Sequence, residues 1–301
     1  MMDNKEKIFD VFLFFNELDL LEIRLKTLFE HVDYFVITEV YQTFSGKPKS
    51  LIFGKNIKKF KKYLDKIIYN PISENDLLNL KKKYWNNLTT NLNKSFKHKH
   101  NGKKGKFLHS SSKREISHRD SCIIGLEKYA SLEDIILLSD LDEIPNPEVV
   151  SSIRDLDLNR PHYFQMSYFL YWINNKVEDD WFGTVAFKYS LLQGLSLDLM
   201  RYSSTDKIKV PGPIVKNGGW HFSYLGGIEK IHKKIEALGF QGYKLKIFLL
   251  LNYLGIRKFE TSIENKKDIF GKNSELKIVE IDKSYPDAIL EDKIFISRFS
   301  K

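Results

Sequence analysis

The feature that most constrains this 301-residue chain is the run Ile135-Ile136-Leu137-Leu138-Ser139, which passes without a break into Asp140-Leu141-Asp142-Glu143-Ile144-Pro145. An uninterrupted apolar run cannot alternate between core and solvent. It predicts a strand buried on both faces, as in a parallel sheet covered by helices. Pro145 and Pro147 then stop the strand and fix the turn. Asp140 and Asp142 therefore stand at the carboxyl end of a buried strand, the edge where open α/β sheets bind ligands. Two carboxylates so close, beside a third at Glu143, repel one another unless a cation lies between them. Hard oxygen ligands suit Mg2+ or Mn2+, and such an ion would neutralise a leaving diphosphate. An Asp-x-Asp also arises in ordinary acidic turns, so the preceding strand gives the pair its weight.

The same logic organises the N-terminal part. Ile8–Phe15 is a near-continuous apolar run broken only by Asp10. Leu20, Leu21, Ile23, Leu25, Leu28 and Phe29 then repeat at helical spacing to about His31, with Asp19 as N-cap and Glu22 as its capping-box partner. Tyr34–Glu39 reads as a second strand, so strand, helix and strand follow with short connections, as in a right-handed parallel crossover. Phe60–Leu64 and Ile67–Tyr69 suggest a further helix and strand, Glu115–Tyr129 a helix, Tyr163–Ile173 a long aromatic strand, and Ile228–Leu238 a helix ended by Gly239. The tail beyond Tyr243 reads as helical.

Net charge is +9, from 48 Lys+Arg against 39 Asp+Glu, which permits anionic partners. Much of the excess lies in Lys81–Arg114, an aperiodic stretch read as a surface insertion. The lone Cys122 excludes an intramolecular disulfide and a multi-cysteine zinc site. The apolar clusters Ile8–Phe15 and Ile247–Leu254 are too short to span a membrane. The simplest expectation is a cytoplasmic protein, with peripheral contact through its basic surface at the inner face of a membrane.

Several segments match one family together: Phe15–Leu25, Val32–Glu39, Thr43–Lys49, Glu115 with Arg119, Ser139–Pro145, and Gly219-Trp220-His221-Phe222-Ser223. In that order they resemble glycosyltransferase family 17, the family of β-1,4-mannosyl-glycoprotein β-1,4-N-acetylglucosaminyltransferase. The resemblance covers most of residues 8–240; the basic insertion and the tail match poorly. It implies an α/β, GT-A-like (Rossmann-like) fold with a mostly parallel sheet flanked by helices, over a catalytic domain at 1–240 with its insertion at about 81–114. A helical extension at 241–301 would pack on it. It further implies a UDP-sugar donor and inverting transfer of a hexose or N-acetylhexosamine. Eukaryotic members carry an N-terminal membrane anchor that this sequence lacks, which favours a surface glycan or lipid-linked glycan acceptor over a Golgi one.

Each candidate residue has a plain alternative. Asn16 and Glu17 end the first strand, where a GT-A enzyme binds nucleotide; a turn and a helix start explain them equally. Glu39 is placed to accept from ribose or uracil. Lys47, in the Thr43-Phe44-Ser45-Gly46 loop, is either a phosphate partner or an exposed lysine. Arg119 either faces the donor diphosphate or simply pairs with Glu115 at i, i+4; Arg114 is a weaker candidate. His221, after Gly218-Gly219-Trp220, is placed to complete a metal site with Asp140 and Asp142, and Trp220 to stack on a sugar. The general base that inverting transfer needs is Asp180, beside the Trp181-Phe182-Gly183 platform, or Glu143; Glu178 and Asp179 read as a charged turn. The rival classes are a metal-dependent nucleotidyl- or phosphotransferase, for which no phosphate-cradling glycine loop is seen, and a nucleic-acid-binding protein driven by Lys81–Lys106. No nucleic acid is expected, since nothing here matches a known nucleic-acid-binding motif.

Overall fold

The computed structural model describes residues 5–80, 110–192, 196–198, 200–201, 212–226, 231, 234, 236–237 and 276–301. Strand β1 (Ile8–Leu13) leads into α1 (Leu18–Leu28) and β2 (Tyr34–Val40); α2 (Ile52–Asn56) and a 3-10 turn over Ile57–Tyr63 precede β3 (Ile67–Ile72). Helices α3 (Ser110–Asp120) and α4 (Cys122–Leu126) precede β4 (Ile135–Asp140). β4, β1, β2 and β3 lie side by side and parallel, with Ile136 paired to Phe9 and Phe9 to Tyr34. Each is nearly continuous in apolar residues because helices cover both faces. Leu21, Leu25 and Phe53 close one face, and Cys122, Ile123 and Leu126 the other. Burying each such aliphatic or phenyl side chain is worth about 1.5–3 kcal/mol, which fixes the register of these strands against a one-residue slip.

An antiparallel half extends the sheet beyond β4. β5 (Glu143–Pro145) and α5 (Pro147–Ser151) lead to β6 (His162–Leu170), β7 (Asn175–Val177), β8 (Trp181–Lys188), β9 (Ile214–Ser223) and β10 (Leu276–Ile278). The order is β10-β7-β6-β8-β4-β1-β2-β3, and β9 pairs with both β6 and β5. By paired length the sheet is mostly parallel, since β9 also runs parallel to β6. The β5–β9 pairing sets His221 opposite Glu143 and Trp220 opposite Ile144. It depends on Gly219, whose φ is +139° and where any Cβ would be driven against the Ile144 carbonyl oxygen.

The described C-terminal residues form β10 and two short helices, α6 (Asp287–Leu290) and α7 (Lys293–Phe299), so the expected helical tail is small here and includes a strand. Ile289, Phe295 and Phe299 pack against Leu20 and Ile23 of α1 and Phe169 and Phe222 of the sheet. The expected capping box of α1 does not form. Glu17 occupies the N-cap without a side-chain cap, and Asp19 pairs instead with Arg298 of α7. The expected Glu115–Tyr129 helix is divided in two at Ser121. Residues 81–109 of the basic insertion, the 240/241 boundary and most of the Ile228–Leu238 helix lie outside the described residues. Among the described residues no helix is long and apolar enough to cross a membrane.

Candidate functional site

The turn after β4 is built from beneath. Arg24 of α1 is fully buried, and its guanidinium donates to both oxygens of Asp10 on β1, at 2.6 and 2.8 Å. It also donates to the carbonyls of Asp140 (2.9 Å), Leu141 (3.1 Å) and Glu143 (2.7 Å) and to Ser139 Oγ. Asp10, the one break in the β1 apolar run, is thus the counter-ion of the arginine that shapes the Asp140–Glu143 turn. From above, Glu143 is also fully buried. It accepts from Arg201 at 2.6 and 2.8 Å, from Trp181 Nε1 at 2.6 Å and from the Asp140 backbone N–H at 2.9 Å.

These contacts present Asp140 and Asp142 to a cleft of about 430 Å³ at the carboxyl edge of the parallel strands. That is within the range of small-ligand sites. Along the strand order β2-β1-β4-β8-β6 it is lined first by Leu13, Phe14, Phe15, Val40, Phe44 and Lys49, then by Arg119, Asp140, Asp142 and Lys234, and last by Tyr168, Trp181, His221 and Tyr224. At the last end Tyr168 stacks on His221 with ring centres 4.8 Å apart and planes 10° apart, and Trp181 lies 4.5 Å from the same imidazole.

The middle of the cleft is a network of opposite charges. Asp140 Oδ2 meets Arg201 at 2.5 Å and Oδ1 meets Arg119 at 3.4 Å; Arg119 also pairs with Asp198 and, at 3.5 Å, with Glu115. Asp142 Oδ2 meets Lys234 Nζ at 2.7 Å, and its Oδ1 stands 3.6 Å from His221 Nε2. Lys234 reaches Glu17 as well, at 3.3 Å. Burial alone would raise both aspartate carboxyls. Arg201 and Arg119 outweigh it at Asp140, and Lys234 and His221 at Asp142, so both are held below the usual carboxylate range. Burial would likewise lower the Lys234 ammonium, but Asp142 and Glu17 hold it up. At Glu115 burial prevails over Arg119 and raises the carboxyl.

The structure brings Glu17, Arg119, Asp140, Asp142 and His221 together in the cleft, as the sequence suggests. Asn16 lies behind it, in a small cavity shared with Glu17 and Lys234. Other candidates fall elsewhere. Glu39 is fully buried and turns inward, accepting from the Ile52, Phe53 and Gly54 backbone N–H groups, Tyr69 Oη and Lys49 Nζ, so its oxygens serve α2 rather than a ribose. Lys47 is 67% exposed and 4.0 Å from Glu236; Lys49, two residues on, reaches the cleft instead. Arg114 donates to the Phe44 and Ser45 carbonyls and so shapes the adjacent loop. Glu143, sealed under Arg201 and Trp181, is not open to an acceptor. Asp180 is exposed and bonded to Gln165, at the rim beside Trp181 rather than in the lining. Trp220 packs under the sheet in the cluster around Ile289, donating to the Ser284 carbonyl. Lys49, Tyr168, Arg201 and Lys234 were not singled out by sequence: each is an ordinary residue in its own segment and becomes notable only by what it meets.

The cleft thus lies at the carboxyl edge of the parallel strands, with apolar side chains beside a network of paired charges. Residues 1–95 match the family model of glycosyltransferase family 17. The family resemblance is thereby borne out over β1, α1, β2, α2 and β3, and it supports a glycosyltransferase. A search among curated proteins finds no match.

The divalent ion that the close pair of aspartates suggests in the sequence meets these side chains as follows. Of the expected ligands, His221 Nε2 stands 3.6 Å from Asp142 Oδ1, but all four oxygens of Asp140 and Asp142 already face a guanidinium, an ammonium or an imidazole. Among the described residues no group of three or more His, Cys, Asp or Glu is arranged to hold a metal ion. An ion on Asp142 would sit beside Lys234, and a divalent ion about 4 Å from an ammonium is repelled by about 8 kcal/mol at an effective dielectric of about 20. As placed, the residues do not fit a divalent cation.

Proposed function

We propose that the cleft binds a UDP-sugar and that the protein is an inverting glycosyltransferase, moving N-acetylglucosamine or another hexose to a glycan or lipid-linked glycan hydroxyl. The observation that carries this reading is the order of groups along one cleft: an apolar end at Phe14, Phe15 and Phe44, a charged middle at Arg119 and Lys234, and an aromatic end at Tyr168 and Trp181. That order matches uracil, diphosphate and sugar. Aromatic faces suit the C–H face of a pyranose and the edge of a base. In the reaction the acceptor oxygen attacks C1 of the donor sugar. The bond from C1 to the phosphate oxygen breaks with its electron pair, UDP departs, and the hydroxyl proton passes to a carboxylate. Asp180, beside Trp181 at the rim, is the proposed proton acceptor. Fixed cations that meet the leaving phosphates favour the transition state because charge grows there. Surface glycan synthesis at the inner face of a membrane is the proposed setting.

The test is a screen of UDP-sugars with the purified full chain, reading UDP release, alongside Arg119→Met and Trp181→Ala. One donor should turn over, and each substitution should lower kcat/KM by about tenfold or more. Absence of both UDP release and UDP binding across the panel would sink the reading.

A further inference from the structure

We infer that Lys234 is the cation that receives the donor's diphosphate, standing where a divalent ion would otherwise be held; the inference rests on reading the cleft as a UDP-sugar site. Lys234 lines the cleft and is 26% exposed, so its ammonium is within a ligand's reach. Two carboxylates position it, Asp142 at 2.7 Å and Glu17 at 3.3 Å, from the ends of two neighbouring parallel strands. An ammonium has three N–H groups. Two can be directed to the carboxylates, and Nζ also lies 5.4 Å from the centre of the Tyr224 ring, a contact weak enough for a phosphate oxygen to displace.

The rest of the network supports this division of labour. Asp140 is occupied by Arg201 and Arg119, so it orients guanidinium groups rather than leaving lone pairs for an ion. His221 packs in a three-ring cluster with Tyr168 and Trp181 and faces Asp142 Oδ1, the oxygen that Lys234 does not take. The Asp-x-Asp of this chain then acts as a holder of basic side chains. When the bond from C1 to oxygen breaks, the electron pair goes to the β-phosphate oxygen, and Lys234 meets that charge by a hydrogen bond without giving up its proton.

Calorimetric titration of UDP into the EDTA-treated full chain, repeated with saturating Mn2+, tests this. Wild type should bind UDP in EDTA, with Mn2+ tightening it by less than about threefold. Lys234→Met should weaken UDP binding by about tenfold or more, the usual consequence of losing a hydrogen bond to a charged group, while Lys234→Arg keeps most of it. Lys234→Met should also bind Mn2+ more tightly than wild type by electron paramagnetic resonance, because Asp142 and His221 are released to a metal. Wild-type binding of UDP only with Mn2+ would overturn the inference, and so would wild-type affinity in a Lys234→Met protein that melts like wild type. Should Lys234→Met not fold, the wild-type comparison with and without Mn2+ decides alone. Failure of wild type to bind UDP under either condition removes the UDP-sugar reading itself, and this inference with it.

Discussion

Arg24 buries its whole guanidinium between the first strand and the turn that carries the site. Its partners are of three kinds, the Asp10 carboxylate, the Ser139 hydroxyl and the backbone carbonyls of Asp140, Leu141 and Glu143. A buried ion pair adds little relative to an apolar pair of equal volume, but removing one member leaves a buried charge without compensation. Arg24→Met should therefore cost about 3–5 kcal/mol in urea denaturation. In the double variant with Asp10→Leu only part should return, because the turn carbonyls would still lack a donor. Complete recovery would show that the turn holds its shape without Arg24. Sequence gives half of this arrangement: Asp10 is conspicuous inside an apolar run, but nothing in the chain says which of many basic residues answers it.

At the scale of elements, the parallel strands and the place of the cleft are legible because both follow from pattern. Ile8–Leu13, Tyr34–Val40 and Ile135–Asp140 are too uniformly apolar to be anything but doubly covered strands, and ligands meet such sheets at their carboxyl edge. Of the cleft's cationic partners only Arg119 is legible, through the family pattern. Arg201 and Lys234 come from separated segments, and only the fold brings them to the same pair of aspartates. Glu39 shows the converse error. It ends a strand at the ligand-binding edge, yet its carboxylate anchors the first turn of α2 because helix-terminal N–H groups lack partners of their own. Glu39→Gln should cost about 1–3 kcal/mol by thermal or chemical denaturation, since it removes charge from bonds to buried donors and to Lys49. UDP affinity should change by less than about threefold, the amount set by roughly 0.6 kcal/mol. A loss of UDP binding larger than the loss of stability would return Glu39 to the binding site.

For the whole molecule the same charges make stability depend on pH in two opposed ways. Asp140 and Asp142 have carboxyls held below their ordinary value of 3.8 by their cations, after burial is overcome. Their contribution is full above 3.8 and is lost as acid protonates the folded state. Asp120 behaves oppositely. It is buried at the end of α3, where Ser196 Oγ and the Asp198 N–H reach only one of its oxygens, and burial raises its carboxyl from 3.8 to about 7 despite them. Between those values the folded protein keeps a proton that the unfolded chain has released. Stability therefore falls as pH rises from about 4 to about 7 and is level beyond. The penalty is tolerated where Asp120, Asp198 and Arg119 join core to cleft: Asp198 bonds Arg119 by its side chain and Asp120 by its backbone. Asp120→Asn has no proton to lose, so between about pH 4.5 and about pH 7.5 the variant's unfolding free energy should fall by a few kcal/mol less than that of wild type, the remaining slope belonging to groups such as Glu115, whose carboxyl burial also raises. A wild type whose stability rises across that interval would mean that Asp120 is ionised in the fold, paired with Arg119 rather than standing as the neutral acid beneath it.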